Sequence, residues 1–273
     1  MEKLVKQQIK NAIDLQVLYK KPYMMVPFII SHTQIETAMN AFFDFLGLSD
    51  DLKNHIDMKI IPLHRRGEIG YTHRDPKDNI YNDSKDFFHY HPVIWERYSE
   101  FVENNAIIKH FLNCAHPIWE AVYHTVYEIL SGFEKNYSGT LGKIFDTKEP
   151  CIILRFLKYE FSNSSLYLAQ PHFDAGSFTL AIAESTAGLR IGTHPEDLEV
   201  IEHQKDKAIF MVSSNYRKII NADLLPAWHD VIQLDQTHIG RPYARWALVA
   251  FIEGHSVTAL SRSETHKWYA AEK

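Results

Sequence analysis

The chain has 273 residues, 45% of them hydrophobic and 13% aromatic, so it can fill one large core or two small ones without covalent staples. A net charge of −5 argues against a nucleic-acid partner, since phosphate contacts need a surplus of Lys and Arg on one face. Cys114 and Cys151, outside any CxxC spacing, exclude a disulfide framework and are read as buried thiols in a reducing compartment. No apolar run is long enough to cross a bilayer and the first residues lack a signal-peptide core, so a cytoplasmic protein without a membrane partner is expected.

Apolar residues recur at three- and four-residue spacing over 3–17, 32–46, 93–104 and 106–134, which predicts amphipathic helices. A short β-run, MMVPFII, precedes the second of them. Between 64 and 92 the stretch HRRGEIGYTHRDPKDNIYNDSKDFFHYHP is dense in Arg, His, Tyr and Asp, and reads as a long polar loop of the kind that carries function. From residue 151 the pattern changes to short β-runs separated by turns, which predicts an antiparallel sandwich or barrel. The expected organisation is therefore a helix-rich region over 1–150, a β-sandwich core over 151–255 and a tail over 256–273, packed as one compact unit.

Within the β-half, AQPHFDAGSFTLAI places His172 and Asp174 two apart, on one face of a strand flanked by Pro171 and Gly176. A buried carboxylate is costly unless something neutralises it, and an imidazole beside it suggests two adjacent positions on a metal. His229, in LLPAWHDVIQL, is the candidate third ligand. Two histidines and one carboxylate on one face of an octahedron suit ferrous iron in oxygenases. In RPYARWALVAFIE, Arg245 and Ala247 share a strand face, and a buried Arg245 could pair with a carboxylate of a small dianionic co-substrate. Arg155, Leu157 and Tyr159 share a face by the same rule, so the Tyr159 hydroxyl could add a contact. His89 and His91 lack an accompanying carboxylate or thiol, which disfavours a second metal site there.

The order of HxD, distal His and an Arg heading the last core strand resembles the iron(II)/2-oxoglutarate-dependent oxygenases, in particular their isopenicillin-N-synthase-like branch. PHFDAGSFTLAIAESTAGLRIG is similar to that branch's metal-ligand strand, and the likeness covers about residues 22 to 253. It implies a mainly β fold with flanking helices: a double-stranded β-helix, or jelly roll, preceded by a helical N-terminal region that contributes a substrate lid. It implies Fe(II) on His172, Asp174 and His229, 2-oxoglutarate held by Arg245 with help from Tyr159, and O₂ as oxidant. Arg241, in the turn before that strand, is a rival for Arg245. The chain departs from the pattern at Ala247, where a serine is usual, and at Leu157, where an asparagine often stands.

The implied reaction couples oxidative decarboxylation of 2-oxoglutarate to hydroxylation, desaturation or oxidative cyclisation of a small molecule. Asp174 fills the position a halide would need, which disfavours halogenation. Arg65, Arg66, Tyr71, His73 and Arg74 fall in the expected lid, and their charge suggests an acidic or amino-acid-derived substrate. Two alternatives stay open: an O₂-dependent oxidase of the same fold that uses no 2-oxoglutarate, and a catalytically silent binding module.

Overall fold

The structure, a computed structural model, describes residues 13–60, 68–75, 83–161, 166–234, 243–255, 257 and 264. Its framework is two antiparallel sheets. Strands β5 (Ile152–Tyr159), β7 (Phe178–Glu184), β10 (Lys207–Val212) and β12 (Arg245–Ile252) form the middle of an eight-stranded sheet. Strands β6 (Tyr167–Phe173), β8 (Leu189–Gly192), β9 (Glu199–Val200) and β11 (Trp228–Ile232) form a four-stranded sheet facing it. These two groups of four make up the jelly roll.

The large sheet is extended on both sides by the first half of the chain. Strand β1 (Tyr23–Pro27) pairs with β10, while β4 (Lys85–Tyr90) pairs with β5 and carries β3 (Glu68–Arg74) and β2 (Asp57–Lys59) outward. The segment read as a polar loop therefore contains two strands. Its His, Tyr and Arg residues masked an alternation that only pairing to β5 makes worthwhile. Gly70 is required where β3 turns against β2, with φ of +117° and Ile56 O overlapping the place where a Cβ would sit.

Period-two alternation assigns each side chain of the large sheet to one of two cores. Phe88, Leu154, Phe156, Leu180, Phe210 and Leu248 face the helices. Phe87, Leu157, Tyr159, Ala181, Met211 and Ala247 face the small sheet, where they meet Leu168, Leu189, Ile191 and Val231. On the helix side, α1 (His32–Leu46) starts at a Ser31/Gln34 capping box and packs on the 29-residue α2 (Ala106–Glu134). Phe42 and Phe45 of α1 meet Phe111 of α2 at ring-centroid distances of 5.6 and 5.4 Å, and Phe111 stands edge-on to Phe156 of β5 at 4.9 Å.

Both long helices begin and end where their periodicity predicts. The expected helix over 93–104 is divided into Val93–Arg97 and Ser99–Glu103, because Tyr98 leaves helical geometry and its hydroxyl donates to Asp57 O at 3.0 Å. Of the segment 3–17, only its end is described, as a 3-10 turn over Leu15–Tyr19. The tail from 258 lies outside the described residues except at Glu264. Cys151 is buried, whereas Cys114, on an outward turn of α2, is only half-buried.

Candidate metal centre

Strands β6 and β11 pair antiparallel with His172 directly opposite His229, so both imidazoles leave the same face of the small sheet, with ring centroids 4.4 Å apart. Asp174 follows one residue after β6 ends, at the mouth of the barrel. Its Oδ1 lies 3.6 Å from His172 Nε2 and its Oδ2 lies 3.7 Å from His229 Nε2. One ligand atom from each of the three residues falls within 4.8 Å of the others, the one such group among the described residues.

The surroundings prepare these atoms for a cation. His172 Nδ1–H donates to Gln170 O at 2.6 Å and His229 Nδ1–H donates to Ala227 O at 3.1 Å, which leaves both Nε2 lone pairs facing Asp174. Burial pushes the His229 imidazole below its usual value and the nearby His172 pushes the same way, against Asp174, so its neutral, ligating form is favoured. Asp174 Oδ2 accepts from Thr179 Oγ1 at 2.7 Å, and its backbone carbonyl accepts from Ser214 N and Oγ at 3.0 and 2.7 Å. A buried carboxylate faced by two neutral imidazole nitrogens is costly by itself, and a divalent cation removes that cost.

Two adjoining cavities meet at this triad. The inner one, about 80 Å³, runs between the sheets from His172, Asp174 and His229 to Arg245. Arg245 heads β12 opposite Tyr159 of β5, and its guanidinium lies 5.9 Å from the Tyr159 ring. Burial lowers the Arg245 pKa to about 10, against an upward influence of Tyr159. Its Nε donates to Thr186 O at 2.9 Å, and a terminal nitrogen forms an ion pair with Glu184. Ala247 and Leu157, opposite one another on the same two strands, line this cavity without a polar atom.

The outer cavity, about 330 Å³, opens between β3, β4, β5 and β6. Arg74, Lys85 and Arg155 line it, together with Thr72, Asp83 and His89. The Arg155 guanidinium sits 4.6 Å from the Phe87 ring centroid and 4.5 Å from that of Phe251, while its Nε donates to His89 Nε2 at 2.7 Å. Burial brings the Lys85 amine down to about 8 despite its ion pair with Asp83.

Of the residues expected in the lid, Arg74 lines this cavity, reaching Asp83 at 3.5 Å. Tyr71 and His73 do not. Strand alternation turns them to the opposite face of β3, where the Tyr71 hydroxyl donates to Asp86 Oδ1 at 2.7 Å and His73 Nδ1 lies 2.9 Å from the same oxygen. Arg65, Arg66 and Arg241 lie outside the described residues. His89 and His91 are held by protein: His89 by Glu68 O and Arg155, His91 by Pro150 O and the Val93 amide. Lys85 and Arg155 went unassigned as site residues in the sequence, though Arg155 was legible by its shared face with Tyr159. Thr179 and Glu184 carried no motif signal.

A barrel mouth with two histidines and a carboxylate, and a cationic residue at the far end of an internal cavity, is the arrangement that the resemblance of the sequence to the iron(II)/2-oxoglutarate oxygenases implies. No protein-family model matches the sequence, and no curated protein matches it. The likeness is instead to solved structures. A full-length Neurospora crassa protein, in complex with alpha-KG and thymine, superposes with a TM-score of 0.64 at 16% identity, covering 100% of this chain and 93% of that one. The Arabidopsis thaliana dioxygenase for auxin oxidation 1, in a binary complex with 2-oxoglutarate, has a TM-score of 0.62 at 14% identity, covering 96% and 92%. JOX2, in complex with 2OG, Fe and JA, has a TM-score of 0.63 at 14% identity, covering 92% and 71%. Among the described residues no helix is long and apolar enough to cross a membrane.

Proposed function

We propose that this chain is a non-haem iron(II) dioxygenase that couples oxidative decarboxylation of 2-oxoglutarate to C–H oxidation of a small acidic or amino-acid-derived substrate. The observation that carries this reading is the convergence of His172, Asp174 and His229 on one point, at the end of an internal cavity whose other end is Arg245. His172, Asp174 and His229 would hold Fe(II), and Arg245 with Tyr159 would receive the distal carboxylate of the co-substrate. Iron supplies the activation of oxygen; the protein supplies position and dryness. Tyr159, Leu157, Ala169 and Met211 give the inner cavity a largely apolar lining. Arg74, Lys85 and Arg155 are set against Asp83 and Glu68, so apart from Asp174, which the metal would take, the outer cavity keeps one positive charge in excess, which favours an anionic substrate.

Support also comes from the structural neighbours whose complexes contain 2-oxoglutarate, or alpha-KG, and in one case iron. The test is anaerobic addition of Fe(II) and then 2-oxoglutarate, followed by visible absorption. A new weak band is the expected result, and its absence in protein that retains iron refutes the co-substrate assignment. A second reading, an O₂-dependent oxidase that uses no 2-oxoglutarate, is favoured by the Arg245–Glu184 ion pair and by the missing donors at Ala247 and Leu157. Succinate formed per oxygen consumed separates the two: near one for the dioxygenase, zero for the oxidase.

A further inference from the structure

The far end of the inner cavity holds more than an arginine. Glu184 lies between Arg245, with which its Oε2 pairs, and His203, whose Nδ1 is 3.2 Å from Oε1; the three side chains are 5%, 3% and 12% exposed respectively. Arg245 and His203 both line the inner cavity, while Glu184 does not; it lines, together with His203, a separate groove beside α1, the outer groove.

His203 Nε2–H donates to Ala181 O at 3.1 Å, a carbonyl that can only accept. Nδ1 therefore faces a carboxylate without a proton unless the imidazole and Glu184 hold one extra proton between them. Neither His203 Nδ1 nor Glu184 Oε2 has an aligned hydrogen bond. Without the extra proton the trio is neutral, and a lone pair opposes a carboxylate oxygen in a nearly dry place. With it the trio carries one net positive charge.

We propose that Glu184, His203 and Arg245 form one proton-holding unit, and that its single net positive charge receives the distal carboxylate of the 2-oxoacid co-substrate. His203 thereby offsets the Glu184 charge rather than adding a donor, since its two N–H groups go to Ala181 O and Glu184. This inference rests on the iron/2-oxoglutarate reading above. It makes His203 and Glu184 positioning residues that act through Arg245: an ionised Glu184 beside a neutral His203 cancels the charge the co-substrate needs, and the retained proton restores it.

Other charged groups lie around the unit. Tyr159, Lys85 and Arg155 face it across the inner cavity, with His172, Asp174 and His229 at the other end. On the outer groove His32, Lys205, Asp206 and Lys207 are exposed, so solvent screens them. Burial pushes the His203 imidazole below its usual value and the bond to Ala181 opposes this, so the empty site gives up the shared proton readily and binding of the co-substrate carboxylate has to draw it back. Lys85, brought to about 8, titrates nearby and must be separated from the unit.

The experiment titrates Fe(II)-loaded full-length protein with 2-oxoglutarate anaerobically, from about pH 6.5 to about pH 9, reading the visible band. Wild-type affinity should fall about tenfold per pH unit once the shared proton is lost. His203→Gln should weaken binding by about tenfold or more at neutral pH, the effect of a unit charge a few ångströms away at a partly dry site. Adding Glu184→Gln to it should restore binding, because Arg245 then stands uncancelled. Glu184→Gln alone should bind well, with any remaining pH dependence belonging to Lys85. Calorimetry of the wild type in buffers of different ionisation enthalpy should show proton uptake on binding. An affinity that is flat with pH and unchanged by His203→Gln overturns the unit while leaving the iron/2-oxoglutarate reading standing. Absence of a 2-oxoglutarate band at every pH in iron-loaded wild type overturns that reading, and the inference with it.

Discussion

Thr179→Val tests how the candidate metal centre is held. The change keeps shape and removes one donor, the Oγ1–H that reaches Asp174 Oδ2 at 2.7 Å; Ser213 Oγ lies 3.0 Å from the same hydroxyl. A hydrogen bond to a charged group contributes about 1.5–3 kcal/mol, equivalent to roughly a 10- to 150-fold change in an equilibrium. Loss of a group that orients a metal ligand usually costs about 10- to 100-fold in metal affinity, and the Ser213 hydroxyl can turn toward Asp174, so about tenfold is expected. Equilibrium dialysis with Fe(II), or with Mn(II) in air, reads it. The metal-free protein should also unfold at a lower temperature, since a buried carboxylate oxygen has lost a donor. Metal affinity within about twofold of wild type, in a variant whose melting is unchanged, would mean that Asp174 is not oriented through Thr179.

Further outcomes concern the framework around the site. Phe156→Ala empties the point where β5 meets Phe42 and Phe111, and should destabilise the fold by about 3–5 kcal/mol in denaturant melts. His91 is pushed by burial to about 4, so the folded protein stays neutral there while the unfolded chain takes up a proton. Its contribution is complete above about pH 6.5 and is lost as pH falls toward about 4; wild type should lose about 3 kcal/mol relative to His91→Gln across that window. Lys85 behaves in the opposite pH range: with a folded value near 8, the folded state binds fewer protons than the unfolded chain up to about 10.5. Stability of wild type relative to Lys85→Met should therefore rise with pH between those values, and a difference that stays flat would refute the burial of a titrating amine.

Much of this was legible along the chain. Helices at 32–46 and 106–134 follow from apolar spacing because each lays one stripe on the sheet, and burial of Phe42, Phe45 and Phe111 enforces that stripe. The alternation of β5, β7, β10 and β12 was equally readable, because each strand separates two cores. His172 and Asp174 were visible as a pair because their spacing is local. His229 needed only the return of one strand to the same sheet.

Other features depended on which strands became neighbours. Strands β3 and β4 look polar because one of their faces lines a charged cavity, so composition alone read them as a loop and carried no sign that Tyr71 and His73 turn away from the cavity that Arg74 lines. Glu184 is the clearest case. Strict alternation from Thr179 and Ala181 would send it to the helix side with Leu180 and Ile182. Instead, β7 carries one extra residue against β12, so that Val249 opposes Ala181 while Ala247 opposes Glu184, and the carboxylate turns toward Arg245. The amino-acid order determined the elements, the ligand types and the arginine, since periodicity and short spacings are properties of the chain itself. Which carboxylate meets that arginine, and which histidine stands behind it, was decided by a bulge in the pairing of two strands some 60 residues apart, a relation no local pattern encodes.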